Sequence, residues 1–264
     1  MSITDPKPPP ARPAATILLV RDSHAGIEVL MVERHANIEF AGGALVFPGG
    51  RVGRWDHDRR LLRRLRHRRV RANRADRAFM AAAVRELFEE TGMLLACDHG
   101  GGEVPEQRRR LLARRFQAQV EQGRRGIAEV LRAGGLWLDA AAVVPFAHWV
   151  TPVTYSKRFD TRFFIARAPR AQTAVHDGGE MVHSLWLRPQ DALALVAAGR
   201  HRMMFPTRMN LLRLAESRNV ADALRRARQR PLVPVLPEIF EEGGRIKARV
   251  PRAAGYGEVL FRDD

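Results

Sequence analysis

The order of apolar and polar positions divides the chain into short strand-like runs and longer helical ones. Residues 15–21 (ATILLVR) and 28–33 (EVLMVE) are apolar runs of strand length around a turn at 23–26. Residues 44–47 form a further short run, which stops at Pro48-Gly49-Gly50, a strong turn signal. From Ala78 to Thr91 good helix formers predominate, and Gly92 stands where a C-cap glycine belongs. Residues 103–133 read as one or two helices with a break at Gly123 and Gly126. Strands are expected at 143–150, 161–167 and 181–187. Helices are expected at 189–198, with proline in the first turn, and at 206–216 and 220–228. From Pro231 onward, proline and glycine recur and the pattern predicts no element. Strands and helices mixed in this order predict the α/β class.

Composition narrows this picture. The 264 residues are 45% hydrophobic, enough for one large domain with a sizeable core. No apolar run approaches the roughly 20 residues that span a bilayer. Residues 1–14 are rich in proline without the charged-then-apolar order of a signal peptide, and are expected to be a disordered lead-in. The single cysteine, Cys97, excludes an internal disulfide framework and makes a reducing, cytoplasmic setting the default. It reads as a small buried hydrophobe. The formal charge is +16, and 42 of the 45 basic residues are arginine. Such a field favours anionic ligands, whether nucleic acid or a small phosphorylated metabolite. Low aromatic content (7%) and the lack of a recognition motif argue against dedicated nucleic-acid binding.

The most informative segment is Arg85-Glu86-Leu87-Phe88-Glu89-Glu90-Thr91-Gly92. Residues three and four apart share a helix face, so Glu86, Glu89 and Glu90 project to one side. Taken alone, three such carboxylates are more often a solvated acidic face than a site. A functional reading needs something that wants clustered oxygens, and hard Mg²⁺ or Mn²⁺ is the evident candidate.

The context decides between these readings. Gly50, followed downstream by Arg85-Glu86-Leu87-x-Glu89-Glu90-x-Gly92-Met93, resembles the Nudix box, and Phe47-Pro48-Gly49-Gly50 resembles that family's lead-in. Two departures stand out. Asp56 occupies the place of the box's first glutamate, and 28 residues separate it from Arg85 where the family has seven. The resemblance implies a Nudix α/β/α sandwich, a mixed β-sheet between helices. The domain would span 15–230, with helical insertions at about 57–77 and 98–135 and a C-terminal extension at 231–264. It implies Glu89 and Glu90 as metal ligands, Glu86 as ligand or general base, and the Gly49 carbonyl as a further ligand. Arg85 would pair with the first acid, and an Asp56–Arg85 contact is expected. Glu180, in a loop before the strand at 181–187, is the candidate for a further metal-binding or basic carboxylate. His176 and His183 are expected bystanders.

The substrate reading is also carried by resemblance. Arg34, Gly43 and Phe47 to Gly50 follow the spacing of the coenzyme A diphosphatase signature, whereas Ile38-Glu39 and Ala41 depart from it. The box insertion, the helical insertion after it and the stretch Arg158-Phe159-Asp160-Thr161-Arg162 resemble the branch containing the peroxisomal coenzyme A diphosphatase. This implies hydrolysis of coenzyme A or an acyl-coenzyme A, with Arg34, Gly50, Arg158 and Arg162 as substrate contacts. The alternatives are ADP-ribose or another nucleoside diphosphate derivative, and a non-catalytic binding module of the same fold. The arginine-rich insertion at 57–77 reads as a solvated helix, the alternative being a flap over an anionic ligand. Phe205-Pro206-Thr207 resembles a family feature to which no chemistry attaches.

Overall fold

The computed structural model describes residues 8–34, 43–66, 74–170, 181–242 and 245–256. Its framework is an eight-stranded mixed sheet. Strand β1 (Arg12–Ser23) runs through the centre. It turns through Gly26, at φ +117°, into antiparallel β2 (Gly26–Arg34). The short β3 (Leu45–Val46) pairs with β2, and β4 (Gly49–Arg51) pairs antiparallel with the first half of β1. Two 3₁₀ turns, Arg54–His57 and Arg59–Arg64, lead to β5 (Leu65–Arg66). Helix α1 (Arg74–Thr91) follows, then α2 (Glu106–Glu121) and α3 (Ile127–Ala133), with the break at Gly123. The chain continues through β6 (Leu138–Asp139), β7 (Val144–Val150), β8 (Phe159–Arg167) and β9 (Met181–Leu187). Helices α4 (Pro189–Ala197), α5 (Phe205–Ala215) and α6 (Val220–Gln229) come next. The tail holds β10 (Pro234–Val235), the hairpin β11 (Glu238–Glu242) and β12 (Arg245–Arg249), and a 3₁₀ turn at Arg252–Ala254.

Successive residues of the central strands enter two different cores. Ile17, Leu19, Leu30 and Phe164 pack with α1, α2 and α3. Leu18, Val20, Met31, Phe163 and Ile165 pack with α4, α5 and α6. A strand covered on both faces must be apolar at every position, which is why 15–21 reads as a run rather than an alternation. The three layers are the expected α/β/α sandwich. The sheet is mixed because β1 pairs parallel with β8, and β7 parallel with β10.

Three expectations need correction. Strand β1 starts at Arg12, three residues early, because its backbone is already paired with β8 there. Helix α1 starts at Arg74, so the last part of the supposed insertion belongs to it. The described part of the insertion, up to Arg66, is not a solvated helix. Leu61 and Leu65 are buried in the α1–α3 core, and β5 pairs with β6. Residues 67–73 lie outside the described residues. The tail, for which the pattern predicts no element, packs on the rest of the fold. Its β10 continues the main sheet at the β7 edge, and Val235, Val250 and Ala254 join the second core. No helix among the described residues is long and apolar enough to cross a membrane.

Candidate active site

The candidate site forms where α1 crosses β4 and β1. Arg85 is its organiser. Its Nε donates to Asp56 Oδ1 (2.9 Å) and its Nη2 to Asp56 Oδ2 (3.0 Å) and the Arg51 carbonyl (2.8 Å). Its Nη1 donates to both Glu89 oxygens, at 2.9 and 3.0 Å, and lies 2.9 Å from Glu86 Oε1. The planar guanidinium is thus bidentate to Asp56 through Nε and Nη2 while Nη1 alone serves Glu89 and Glu86, geometry that a lysine cannot reproduce. The expected Asp56–Arg85 contact is present despite the inserted residues. Asp56 Oδ2 also accepts from the Gly53 N–H at 2.7 Å, which ties the 3₁₀ turn to the buried pair. The short aspartate reaches Arg85 because this turn carries its backbone inward.

Gly50 faces Ala15 across the sheet and lies directly under Glu86. A Cβ on Gly50 would fall 2.4 Å from Glu86 Oε1. A Cβ on Gly49 would fall 2.7 Å from the Ala15 carbonyl and 2.8 Å from Thr16 Cα. Pro48-Gly49-Gly50 therefore does more than turn the chain. It lets backbone lie flat between β1 and the acidic helix.

The acids sit at the unfavourable end of α1. A helix C-terminus carries partial negative charge, and α1 has no basic residue in its last turn. Burial raises the Glu86 pKa, which Arg85 only partly counters. Burial, with Glu86 beside it, pushes Glu89 up to about 8. Burial also opposes the Arg85 charge, but Asp56, Glu86 and Glu89 outweigh that and raise its pKa. Glu86 and Glu89 share a hydrogen bond, so they compete for a proton or a cation. The helix end is covered by α2. Gln117 Nε2 donates to the Glu89 carbonyl (2.8 Å) and Arg109 Nη1 to the Gly92 carbonyl (2.9 Å). Gly92 has φ +63°, as the C-cap position demands.

Among the described residues, no three acid, imidazole or thiol groups form a ready-made metal cage. The Arg85 fork lies between the acids instead. The donor chemistry nevertheless fits a hard divalent cation. Glu86, Glu89 and Glu90 offer only oxygens, and the one guanidinium of Arg85 faces Asp56, Glu86 and Glu89. Glu86 and Glu89, held partly against ionisation, would lose that penalty beside added positive charge.

The other predicted residues are more dispersed. Arg162, on β8, is directly opposite Ala15 and so two strands from Gly50. Its guanidinium lies over the Phe79 ring at 5.1 Å and 3.4 Å from Asp76. Arg158 donates to the carbonyls of Thr151 (3.1 Å) and Pro9 (2.7 Å), bracing the β7–β8 loop. Arg34 ends β2, and its side chain lies outside the described residues, as do Glu180 and His176. Cys97 is buried, and burial raises its pKa. One polar pair escaped the sequence reading. His148 Nε2 lies 2.5 Å from Asp160 Oδ1, and this hydrogen bond, foremost, lowers the Asp160 pKa. The two residues lie on neighbouring strands, so no spacing within either strand marks them.

Comparison with known proteins agrees with the geometry. The NUDT19 Nudix domain family matches residues 65–214. A Caenorhabditis elegans protein named nudix hydrolase 7 is 25% identical over 205 residues, 78% of this chain and 61% of that protein. The acyl-coenzyme A diphosphatase NUDT19 of Xenopus laevis is 26% identical, over 63% of this chain and 54% of that protein. The chain thus spans roughly half to three fifths of the length of these curated relatives. The crystal structure of a NUDIX hydrolase from Alicyclobacillus acidocaldarius is 30% identical with a TM-score of 0.70. It covers 85% of this chain and 97% of that one.

Proposed function

Because this chain belongs to the Nudix hydrolase family, through a NUDT19-type Nudix domain, we propose that it hydrolyses a diphosphate linkage with the help of Mg²⁺ or Mn²⁺. The favoured substrate is coenzyme A or an acyl-coenzyme A. The observation that carries the reading is the Arg85 fork, which gathers Asp56, Glu86 and Glu89 against Gly50. The family match and the name of the Xenopus relative support the substrate class.

In this reading Glu86, Glu89 and Glu90 would hold the cation, with the Gly49 carbonyl as a further ligand. The bound cation would neutralise the diphosphate and stabilise the departing phosphate. Arg85 positions Glu86 and Glu89, and Asp56 holds Arg85. Water attacks one phosphorus, the bond to the bridging oxygen breaks, and the proton lost by water ends on the departing phosphate. Glu86, as ligand or general base, is the carboxylate proposed to take that proton first. Glu180 is a second proposed carboxylate for the same task. Arg34, Gly50, Arg158 and Arg162 are proposed substrate contacts, and of the arginines Arg162 lies on the sheet row that crosses the site. With coenzyme A the products are phosphopantetheine and adenosine 3′,5′-bisphosphate.

A panel of coenzyme A, acyl-coenzyme A, ADP-ribose and other nucleoside diphosphate derivatives, with Mg²⁺ or Mn²⁺, tests this by product mass. Turnover of ADP-ribose without turnover of coenzyme A or its thioesters overturns the substrate assignment. Glu89→Gln or Glu90→Gln should lower kcat on the order of 100-fold or more while the fold is kept. Full activity in either variant overturns the site assignment.

A further inference from the structure

A groove of about 1020 Å³ lies between the β7–β8 loop, at Pro152 and Val153, and the C-terminal hairpin, at Leu236, Ile239, Phe240 and Val250. It is far larger than a phosphate needs, and falls at the upper end of the range for whole small-molecule sites, roughly 300–1,000 Å³. Leu236 and Val153 stand about half exposed on it, at 45% and 51%, and present apolar surface to it. Lys247 pairs with Glu242 and Arg249 with Glu238 within the hairpin, and Arg252 adds one more cation to the lining. What it offers a ligand is therefore mostly apolar surface with a small positive excess.

The groove opens at the same end of the sheet as the acidic cluster. One register row crosses the sheet from Gly50 to Ala15, Arg162, His148 and Pro234. Each step between strands is about 4.8 Å, so the row spans roughly 19 Å. The groove begins just beyond its far end, past Val150 on β7 and Val235 on β10. A ligand joining the two places needs a flexible arm as long as five or six extended residues, with an apolar end.

We propose that this groove is the subsite for the apolar arm of an acyl thioester substrate. The C-terminal hairpin would then select for acyl-chain length. This rests on the diphosphatase reading above, in which the diphosphate lies against Glu86 and Gly50. The arm crosses the end of β1 and β8 and the acyl chain lies between Val153 and Leu236. A methylene moved from water to apolar lining gains about fourfold in affinity, so binding strengthens steeply with chain length until the groove is full.

The test measures binding without turnover, by calorimetry in EDTA, of coenzyme A, butanoyl-coenzyme A and octanoyl-coenzyme A. The wild-type chain and a Val153→Glu/Leu236→Glu variant are compared. Both positions are exposed, and unchanged binding of coenzyme A itself shows that the variant is folded. Val153→Glu alone serves if the double variant loses that control. The wild type should bind octanoyl-coenzyme A at least tenfold tighter than coenzyme A, and the variant should lose the difference. No gain with chain length in the wild type overturns the proposal, and so does a gain that survives in the variant. A chain-length-independent dimer that the variant dissociates assigns the groove to a second copy and also overturns it. A length-dependent gain without hydrolysis on added Mg²⁺ or Mn²⁺ leaves the subsite standing and overturns the diphosphatase reading instead.

Discussion

At the residue scale, Gly49 and Gly50 are adjacent and chemically identical, yet their surroundings differ. An added Cβ at Gly49 meets the β1 backbone, which cannot move without breaking strand pairing. At Gly50 it meets the carboxylate at the far end of the Glu86 side chain, whose contacts with Arg85 and Glu89 can shift without breaking strand pairing. Gly49→Ala should therefore destabilise the fold by about 1–3 kcal/mol. Gly50→Ala should leave melting nearly unchanged while lowering metal-dependent turnover, because the displaced group is Glu86. Thermal melts and kcat measured on both variants check this; equal effects on stability would show that the two glycines are not distinguished by what lies above them. Arg85 follows the same logic. Its presence and its neighbours Glu86 and Glu89 are legible in the spacing, and the resemblance to the Nudix box implies Asp56 as its partner. The count of donors it spends was not, because the Arg51 carbonyl comes from a different element.

At the element scale, α2 does work for α1 that no pattern along α1 reveals. Arg109 is fully buried, and it bonds both Glu106 and the carbonyl of Gly92. Hydrogen bonds from Arg109, foremost, bring the Glu106 pKa down to about 2 against the opposing effect of burial. A carboxylate with a folded pKa below its unfolded value of about 4.5 adds stability above that value. The contribution fades as pH falls from about 4.5 towards about 2. After discounting for solvent screening of this largely open carboxylate, Glu106→Gln should cost roughly 1 kcal/mol at pH 7, and the gap to the wild type should shrink below pH 4.5. Denaturant melts at pH 7, 4 and 3 would show it, and a gap independent of pH would mean that the Glu106–Arg109 pair is not its source. The sequence reading placed α2 and its break at Gly123, but took the segment as a helical insertion. Packing makes it the cover of the acidic helix, through Gln117 as well as Arg109.

At the scale of the whole molecule, the tail changes most between pattern and structure. Proline and glycine hid its elements, yet β10 extends the main sheet, and Tyr256 bonds Asn210 and Trp149 in the second core. Removing residues 231–264 takes Val235 and Val250 out of that core, at about 1.5–3 kcal/mol each. The truncated chain should melt well below the full chain or fail to fold, as differential scanning fluorimetry would show. A truncation that melts like the full chain would make the tail a true appendage. The sequence by itself determined the class of fold, the acidic helix and its companions Gly50, Asp56 and Arg85. The class of fold and the helix rest on local periodicity, and the companions rest on the resemblance to the Nudix box. Tertiary structure alone decided what covers the helix end, how Gly49 differs from Gly50, and that the tail walls a groove at the same end of the sheet as the acids. Those depend on pairings between strands and helices far apart in the chain, and neither composition nor spacing carries that register.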